Sequence, residues 1–221
     1  MFDTQSVREV YSKRAARYDL SANLYSLIGI RMDAYRREAV QALNLQPGST
    51  VVELGCGTGL NFPFLQEVIG PQGKIIGVDL TSAMLTQAKA RIQRHGWNNV
   101  QLIQADASRF DLPQGVDGVL STFALSLMPA YEEIIRKSAQ ALTSGGRLVI
   151  LDLKLTTGVL SFLNPLGVLI TKPFAGSYEA GQRKPWEEMR KHLTDVQVKE
   201  HYFRFVCIAS GTKADHAATR Q

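Results

Sequence analysis

The run Val51-Val-Glu-Leu-Gly-Cys-Gly-Thr-Gly59 constrains this chain more than any other stretch, because an apolar strand carrying one acid, Glu53, passes directly into three glycines at alternate positions. Glycine after a strand permits a sharp turn and lets a ligand approach where a Cβ would intrude. The sequence around it repeats a strand-then-helix rhythm, which is the pattern of a parallel sheet covered on both faces. Strands are expected at Thr50–Leu54, Lys74–Asp79, Val100–Gln104, Val116–Ser121 and Arg147–Asp152, and helices at about Asn61–Ile69, Ser82–His95 and Tyr131–Leu142. Thr81 stands where the second of these helices wants an N-cap, and Gly145-Gly146 reads as the turn into the fifth strand.

After Asp152 the rhythm changes. Residues 156–176 are apolar yet interrupted by Asn164, Pro165 and Gly167, and too short to span a bilayer. A polar helical piece at about Trp186–His192 precedes Val196–Tyr202 and Phe203–Ser210, which fit a terminal antiparallel pair. With 221 residues, one sizeable core is expected. The expected architecture is a single α/β domain, a Rossmann-like doubly wound sheet of seven strands, mostly parallel with an antiparallel C-terminal strand, plus N-terminal helices. Residues 1–48 read as a helical lid or cap, 49–212 as the core with an apolar insertion at about 156–192, and 213–221 as a tail. Tyr11, Tyr18 and Tyr25, spaced by sevens, fall roughly on one face of an unbroken helix. They can fold over a ligand or simply pack the helix on the domain.

The net charge of +5 is unevenly spread. Residues 8–37 hold Arg8, Lys13, Arg14, Arg17, Arg31, Arg36 and Arg37 against three acids, and a second basic group, Arg183, Lys184, Arg190 and Lys191, lies near the end. Both groups read either as solvated helix faces or as a surface for an anionic partner. Cys56 and Cys207 form no disulfide or metal framework and read as small buried thiols. The N-terminus lacks a basic region followed by an apolar segment, so a cytoplasmic location is expected, with peripheral contact to an anionic membrane left open.

The acids supply the chemistry. Asp79 ends the second strand about 20 residues beyond the last glycine, where a carboxylate can accept hydrogen bonds from ribose hydroxyls. Asp106 follows the third strand in Ala105-Asp106-Ala107, where it can read the edge of an adenine ring. No lysine follows the glycine loop, so a phosphate cradle is absent, and Leu60 occupies the place of a dinucleotide fingerprint's third glycine. Glu53, Asp79 and Asp106 at successive strand ends would repel a polyphosphate and favour a ligand carrying positive charge.

These features resemble the class I S-adenosylmethionine-dependent methyltransferases over roughly half the chain. The resemblance rests on Glu53-Leu-Gly-Cys-Gly-Thr-Gly59, Gly77-Val-Asp79-Leu-Thr-Ser-Ala-Met84-Leu, Asp106-Ala107 and Ser144-Gly-Gly-Arg-Leu. It implies S-adenosylmethionine as cofactor, with Gly55, Cys56, Gly57 and Gly59 under its methionine part, Asp79 on the ribose, and Leu80 and Met84 beside the adenine. Asp106 and Ala107 would read the adenine edge, and Ser121, Thr122 and Phe123 would line the cofactor and acceptor pocket. Tyr18, Glu53 and Asn61 join the expected cofactor set. Tyr11, Tyr25, Ser126 and Asp152 form the expected acceptor set.

Methyl transfer from a sulfonium is an in-line displacement that depends mainly on positioning. No catalytic dyad is spelled out, since His95, His192, His201 and His216 all lie outside these motifs. Ser121-Thr-Phe-Ala-Leu-Ser-Leu-Met-Pro129 lacks the Asp/Asn-Pro-Pro-aromatic signature of enzymes that methylate base amino groups, and the basic stripe lacks interleaved aromatics, which argues against nucleic acid. Tyr18-Asp19 and the plain core are similar to small lipid- and quinone-modifying methyltransferases. A small-molecule or amphipathic acceptor is therefore expected, with the amine of a lipid head group first and C- or O-methylation of a quinone or small metabolite as the alternative. An NAD-linked oxidoreductase and a cofactor-binding regulatory protein remain as outside readings.

Overall fold

The sheet follows from strands that are apolar on both faces. In the computed structural model, which describes residues 29–171 and 177–215 together with Glu9, Tyr11, Ser12, Ala15 and Asp19, seven strands form one sheet. They are β1 (Thr50–Leu54), β2 (Lys74–Asp79), β3 (Val100–Gln104), β4 (Val116–Thr122), β5 (Leu142–Leu153), β6 (Thr194–His201) and β7 (Val206–Thr212), in the order β3-β2-β1-β4-β5-β7-β6. The first five pair in parallel, and β7 runs antiparallel between β5 and β6. The order reverses between β1 and β4, the switch point beside which ligands of open α/β sheets bind.

Helices α1 (Met32–Ala42), α2 (Phe62–Ile69), α3 (Ser82–His95), α4 (Tyr131–Ala141), α5 (Asn164–Thr171), α6 (Tyr178–Gln182) and α7 (Pro185–His192) complete the described chain, with 3-10 turns at Leu125–Leu127 and Gly158–Leu163. Alternate residues of the central strands feed two cores. Val52, Leu54, Val78, Val119 and Ile150 face Ile134, Ile135 and Met189 of α4 and α7. Val51, Ile75, Leu120, Val149 and Leu151 face α1, α2 and α3 through Val40, Phe62, Leu65 and Ala88. Burial on both faces explains why these strands read as continuous apolar runs.

Several boundaries differ from expectation for local reasons. Met32–Ala42, expected within the N-terminal cap, packs on the sheet: Arg36, Ala39 and Val40 are all buried. β5 begins at Leu142 and carries Gly145-Gly146 within it, at a register break opposite Val116 and Gly118. Thr81 occupies the N-cap position of α3 without a side-chain cap bond, and its backbone N–H donates to Asp79. The last turn sits later than expected: Tyr202, Phe203 and Arg204 have φ of 44°, 54° and 69°, a conformation that no strand residue adopts. Tyr18, Tyr25 and residues 216–221 lie outside the described residues.

Gly59 shows how tightly the loop is bound to the core. Its φ is +76°, and a Cβ there would stand 2.5 Å from Cδ2 of Phe62, whose ring is fully buried beneath Gly77. Gly59→Ala should lower the unfolding free energy by about 1–3 kcal/mol through strain and overpacking. Urea denaturation measures this, and an unchanged midpoint would contradict the packing described.

Candidate active site

The carboxyl ends of β1, β2 and β4 and the residues after β3 converge on a cleft of about 790 Å³, part of it open to solvent. Gly55, Gly57, Val78, Asp79, Leu80, Thr81 and Met84 form one side, Ala105, Asp106 and Ala107 a second, and Thr122 to Ala124 with Leu127, Met128 and Pro129 a third. Tyr11 reaches it from the N-terminal segment.

Asp79 fastens the glycine loop to β2. Its Oδ2 accepts from the N–H of Gly57 at 2.8 Å and its Oδ1 from that of Thr81 at 2.8 Å. Burial raises its pKa, opposed by these backbone hydrogen bonds. The loop itself begins with the N–H groups of Gly55 and Cys56 both donating to the Val78 carbonyl. Gly57, at φ +55°, has no atom within 4 Å of where its Cβ would lie. Its missing side chain therefore opens onto the cleft, unlike that of Gly59. Asp106 accepts from the N–H and hydroxyl of Ser108 through Oδ1, which holds the carboxylate on the cleft wall.

Beneath the cleft lies a buried polar chain. Glu53, 1% exposed, accepts at Oε1 from Asn61 Nδ2 at 2.5 Å. Asn61 also donates to Thr122 Oγ1 at 2.8 Å, and Arg36 donates from Nη1 to Thr122 Oγ1 at 2.8 Å and to Asn61 Oδ1 at 3.2 Å. Burial pushes the Glu53 carboxyl up to about 8; the Asn61 hydrogen bond and the Arg36 charge oppose the shift, and Asp79 adds to it. Arg36 also lies 5.1 Å from the ring centroid of Phe123, which is held at φ 54° after β4 by its N–H bond to Leu151. Strained backbone of this kind clusters at ligand sites.

Arg36 is the residue that sequence reasoning missed as part of the site. It stood in a basic run that reads as a solvated face, yet it is 4% exposed. Its position next to Arg37 held the only signal: helical spacing puts Arg36, Ala39 and Val40 on one side, while Arg37 pairs with Glu67 in solvent. Asp19 is tied down separately. Asp19 accepts from Thr58 Oγ1 at 2.6 Å and pairs with Arg91 at 2.5 Å, and Arg91 Nε donates to the Thr58 carbonyl.

Of the residues expected to bind cofactor, Gly55, Gly57, Asp79, Leu80, Met84, Asp106, Ala107, Thr122 and Phe123 line the cleft. Glu53 and Asn61 lie below it in the polar chain, Cys56 packs by its sulfur near Gly77, and Ser121 donates to the Leu54 carbonyl. Of the acceptor set, Tyr11 lines the cleft, whereas Ser126 and Asp152 stand behind its wall. Asp152 Oδ2 accepts from the Ser126 N–H at 2.8 Å, and Arg183 donates to the carbonyls of Ser126 and Met128. Burial lifts Asp152 to about 6. This assembly fixes the Leu125–Leu127 turn that carries the third wall.

Two observations fit a nucleoside ligand with positive charge. Glu53 Oε2 is buried without a hydrogen-bond partner among the described residues, and the Gly57 Cβ position is open. A raised carboxyl also predicts a pH dependence. Glu53 titrates near 4.5 when unfolded and near 8 when folded, so the folded state holds the extra proton and stability falls as pH rises between those values. Glu53→Gln should remove that fall, so that the wild type loses stability relative to the variant from pH 5 to pH 8. Parallel slopes in denaturant titrations would contradict it.

The model of the ubiE/COQ5 methyltransferase family matches residues 1–196. A demethylmenaquinone methyltransferase from Lactococcus lactis is 27% identical over 98% of this chain and 90% of its own length. Another from Bacillus cereus is 26% identical over 79% of this chain and 76% of its own. In fold, the chain is similar to a SAM-dependent methyltransferase from Aquifex aeolicus, with a TM-score of 0.61 and 17% identity over 81% of this chain and 89% of that one.

Proposed function

The chain belongs to the ubiE/COQ5 methyltransferase family and is an S-adenosylmethionine-dependent methyltransferase, and from that membership we propose that it methylates a ring carbon of a quinol bearing an apolar tail. The observation that carries this reading is the third wall of the cleft. Phe123, Ala124, Leu127, Met128 and Pro129 present apolar side chains there, and the cleft's carboxylates, Asp79 and Asp106, stand on the other walls. An ammonium-forming amine wants an acid or an aromatic cage beside it; a flat, neutral ring wants an apolar slot. The names of the Lactococcus and Bacillus relatives favour the same choice. The head-group amine put first by the sequence gives way to the quinone alternative.

Bound S-adenosylmethionine supplies an electrophilic methyl on a sulfonium. Asp79 holds the ribose hydroxyls through the lone pairs that Gly57 and Thr81 leave, and Leu80 and Met84 flank the base while Asp106 reads its edge. Glu53, which keeps its proton near neutral pH while the site is empty of charge, would ionise beside the cofactor's positive charge and then supply negative potential under the loop. Thr122 and Phe123, fixed from below by Arg36, set the acceptor ring against the reacting methyl. With the cofactor bound, the sulfur–methyl bond would break with its electrons returning to sulfur as the methyl joins a ring carbon, and that carbon's proton would pass to solvent, onto which the cleft opens. Ring oxygens activate that carbon, so alignment carries most of the rate, and the residues of the cleft need supply no strong base. Tyr11 adds a side chain to the cleft lining.

Asp79→Ala should weaken S-adenosylhomocysteine binding at least about tenfold, the loss of charge-assisted hydrogen bonds, as read by calorimetric titration; an unchanged affinity would remove Asp79 from the site. Methyl-labelled cofactor incubated with a prenylated demethylnaphthoquinol and, separately, with phosphatidylethanolamine tests the acceptor. Label is expected in the quinol. Label in the phospholipid alone would overturn the reading.

A further inference from the structure

Residues 158–171 leave the carboxyl end of β5 as a 3-10 turn that continues into α5. The inner side of this segment is built in. Thr156, 2% exposed, donates its N–H to Asn164 Oδ1 and its hydroxyl to the Leu160 carbonyl, while Asn164 Nδ2 returns a bond to the Thr156 carbonyl. Gly167 lies so close to Phe205 that a Cβ would stand 2.5 Å from the ring. The outer side is equally apolar and uncovered: Val159, Phe162, Leu166 and Leu169 are 90, 71, 55 and 65% exposed. Their spacing by three and four residues makes one stripe. Phe203, 65% exposed, adds to it from the turn that also carries Phe205. A helix apolar around its circumference is normally covered by protein or lipid, and such an exposed patch marks an interaction surface.

Charge selects what covers it. From Leu153 to Tyr178 the sequence holds Lys154 and Lys172 and no acid, and Arg204 follows Phe203 with its side chain 58% exposed. Glu200 pairs with both Lys154 and Arg204, so these three described side chains together carry one positive charge in excess. A second copy brought face to face would oppose like charges; an anionic lipid surface would complement them. No described helix is long and apolar enough to cross a membrane, so the contact is shallow and interfacial. The stripe springs from the same end of the sheet as the cleft, next to Asp152, which anchors the cleft's apolar wall.

We propose that the Val159–Leu169 stripe and Phe203 seat this protein on an anionic bilayer surface, with the cleft opening toward the lipid that delivers its acceptor. The direction of delivery rests on the quinol reading above; the membrane contact does not. The test is co-sedimentation of the full chain with phosphatidylcholine vesicles, with and without phosphatidylglycerol, at low and high salt. Association is expected with the anionic vesicles, weakened by salt. The double variant Phe162→Asp/Leu166→Asp should reduce the partition coefficient at least about tenfold, with its urea midpoint and S-adenosylhomocysteine affinity unchanged. Absence of binding to anionic vesicles at low salt would overturn the proposal, as would equal binding by the double variant. So would a concentration-dependent dimer abolished by the double variant without vesicle binding, which would assign the face to a second copy. Vesicle binding that survives failed quinol turnover would support this inference and overturn only the acceptor reading.

Discussion

The buried chain from Arg36 through Thr122 and Asn61 to Glu53 is the interaction on which the rest of the site depends. It joins four separate pieces of structure: α1, the end of β4, the start of α2 and β1. Buried ionisable groups are tolerated only when hydrogen bonds replace the water they lose. Removing one partner of such a set typically costs about 3–5 kcal/mol, because the remaining group is left uncompensated. The N-terminal helix is therefore structurally part of the cofactor half, and the conformation of Thr122 and Phe123 at the acceptor wall is set from underneath by a residue that never enters the cleft.

The same region trades stability for binding. Glu53 and Asp79 are both raised by burial, Asp79 adds to the burden on Glu53, and Phe123 is held in left-handed backbone. A fold selected only for stability would replace these carboxylates with apolar side chains of similar volume. They are explained by a ligand whose positive charge relieves them. An S-adenosyl sulfonium with its ammonium group meets that requirement, and a dinucleotide with two phosphates does not. The glycines divide the labour: Gly59 lies against Phe62, while Gly57 leaves room for something outside the chain.

Much of this was legible in the sequence, for identifiable reasons. Strands buried on both faces announce themselves as apolar runs, so β1 and β2 fall where expected, and the acids Glu53 and Asp79 follow from them; β3, at the sheet edge, is found by its β-rich composition. Side-chain surroundings were harder to read. A basic run gives no direct measure of burial, so Arg36 reads like its solvated neighbour Arg37. Ser126 and Asp152 sit close to the cleft in sequence, but the Asp152 carboxylate is engaged behind its wall by the backbone N–H groups of Ser126 and Leu153. The final turn falls elsewhere than expected because Tyr202-Phe203-Arg204-Phe205 has strand-like composition, and its left-handed residues include no glycine or asparagine to mark it.

The open space above Gly57 is proposed to hold the charged end of S-adenosylmethionine. Calorimetric titration of S-adenosylhomocysteine into the wild type and into Gly57→Val tests it most directly, with circular dichroism confirming that the variant is folded. The account predicts one-to-one binding by the wild type and an affinity at least about tenfold weaker in the variant, because its side chain would fill the approach that glycine leaves open. Equal affinity in a folded Gly57→Val protein would contradict it.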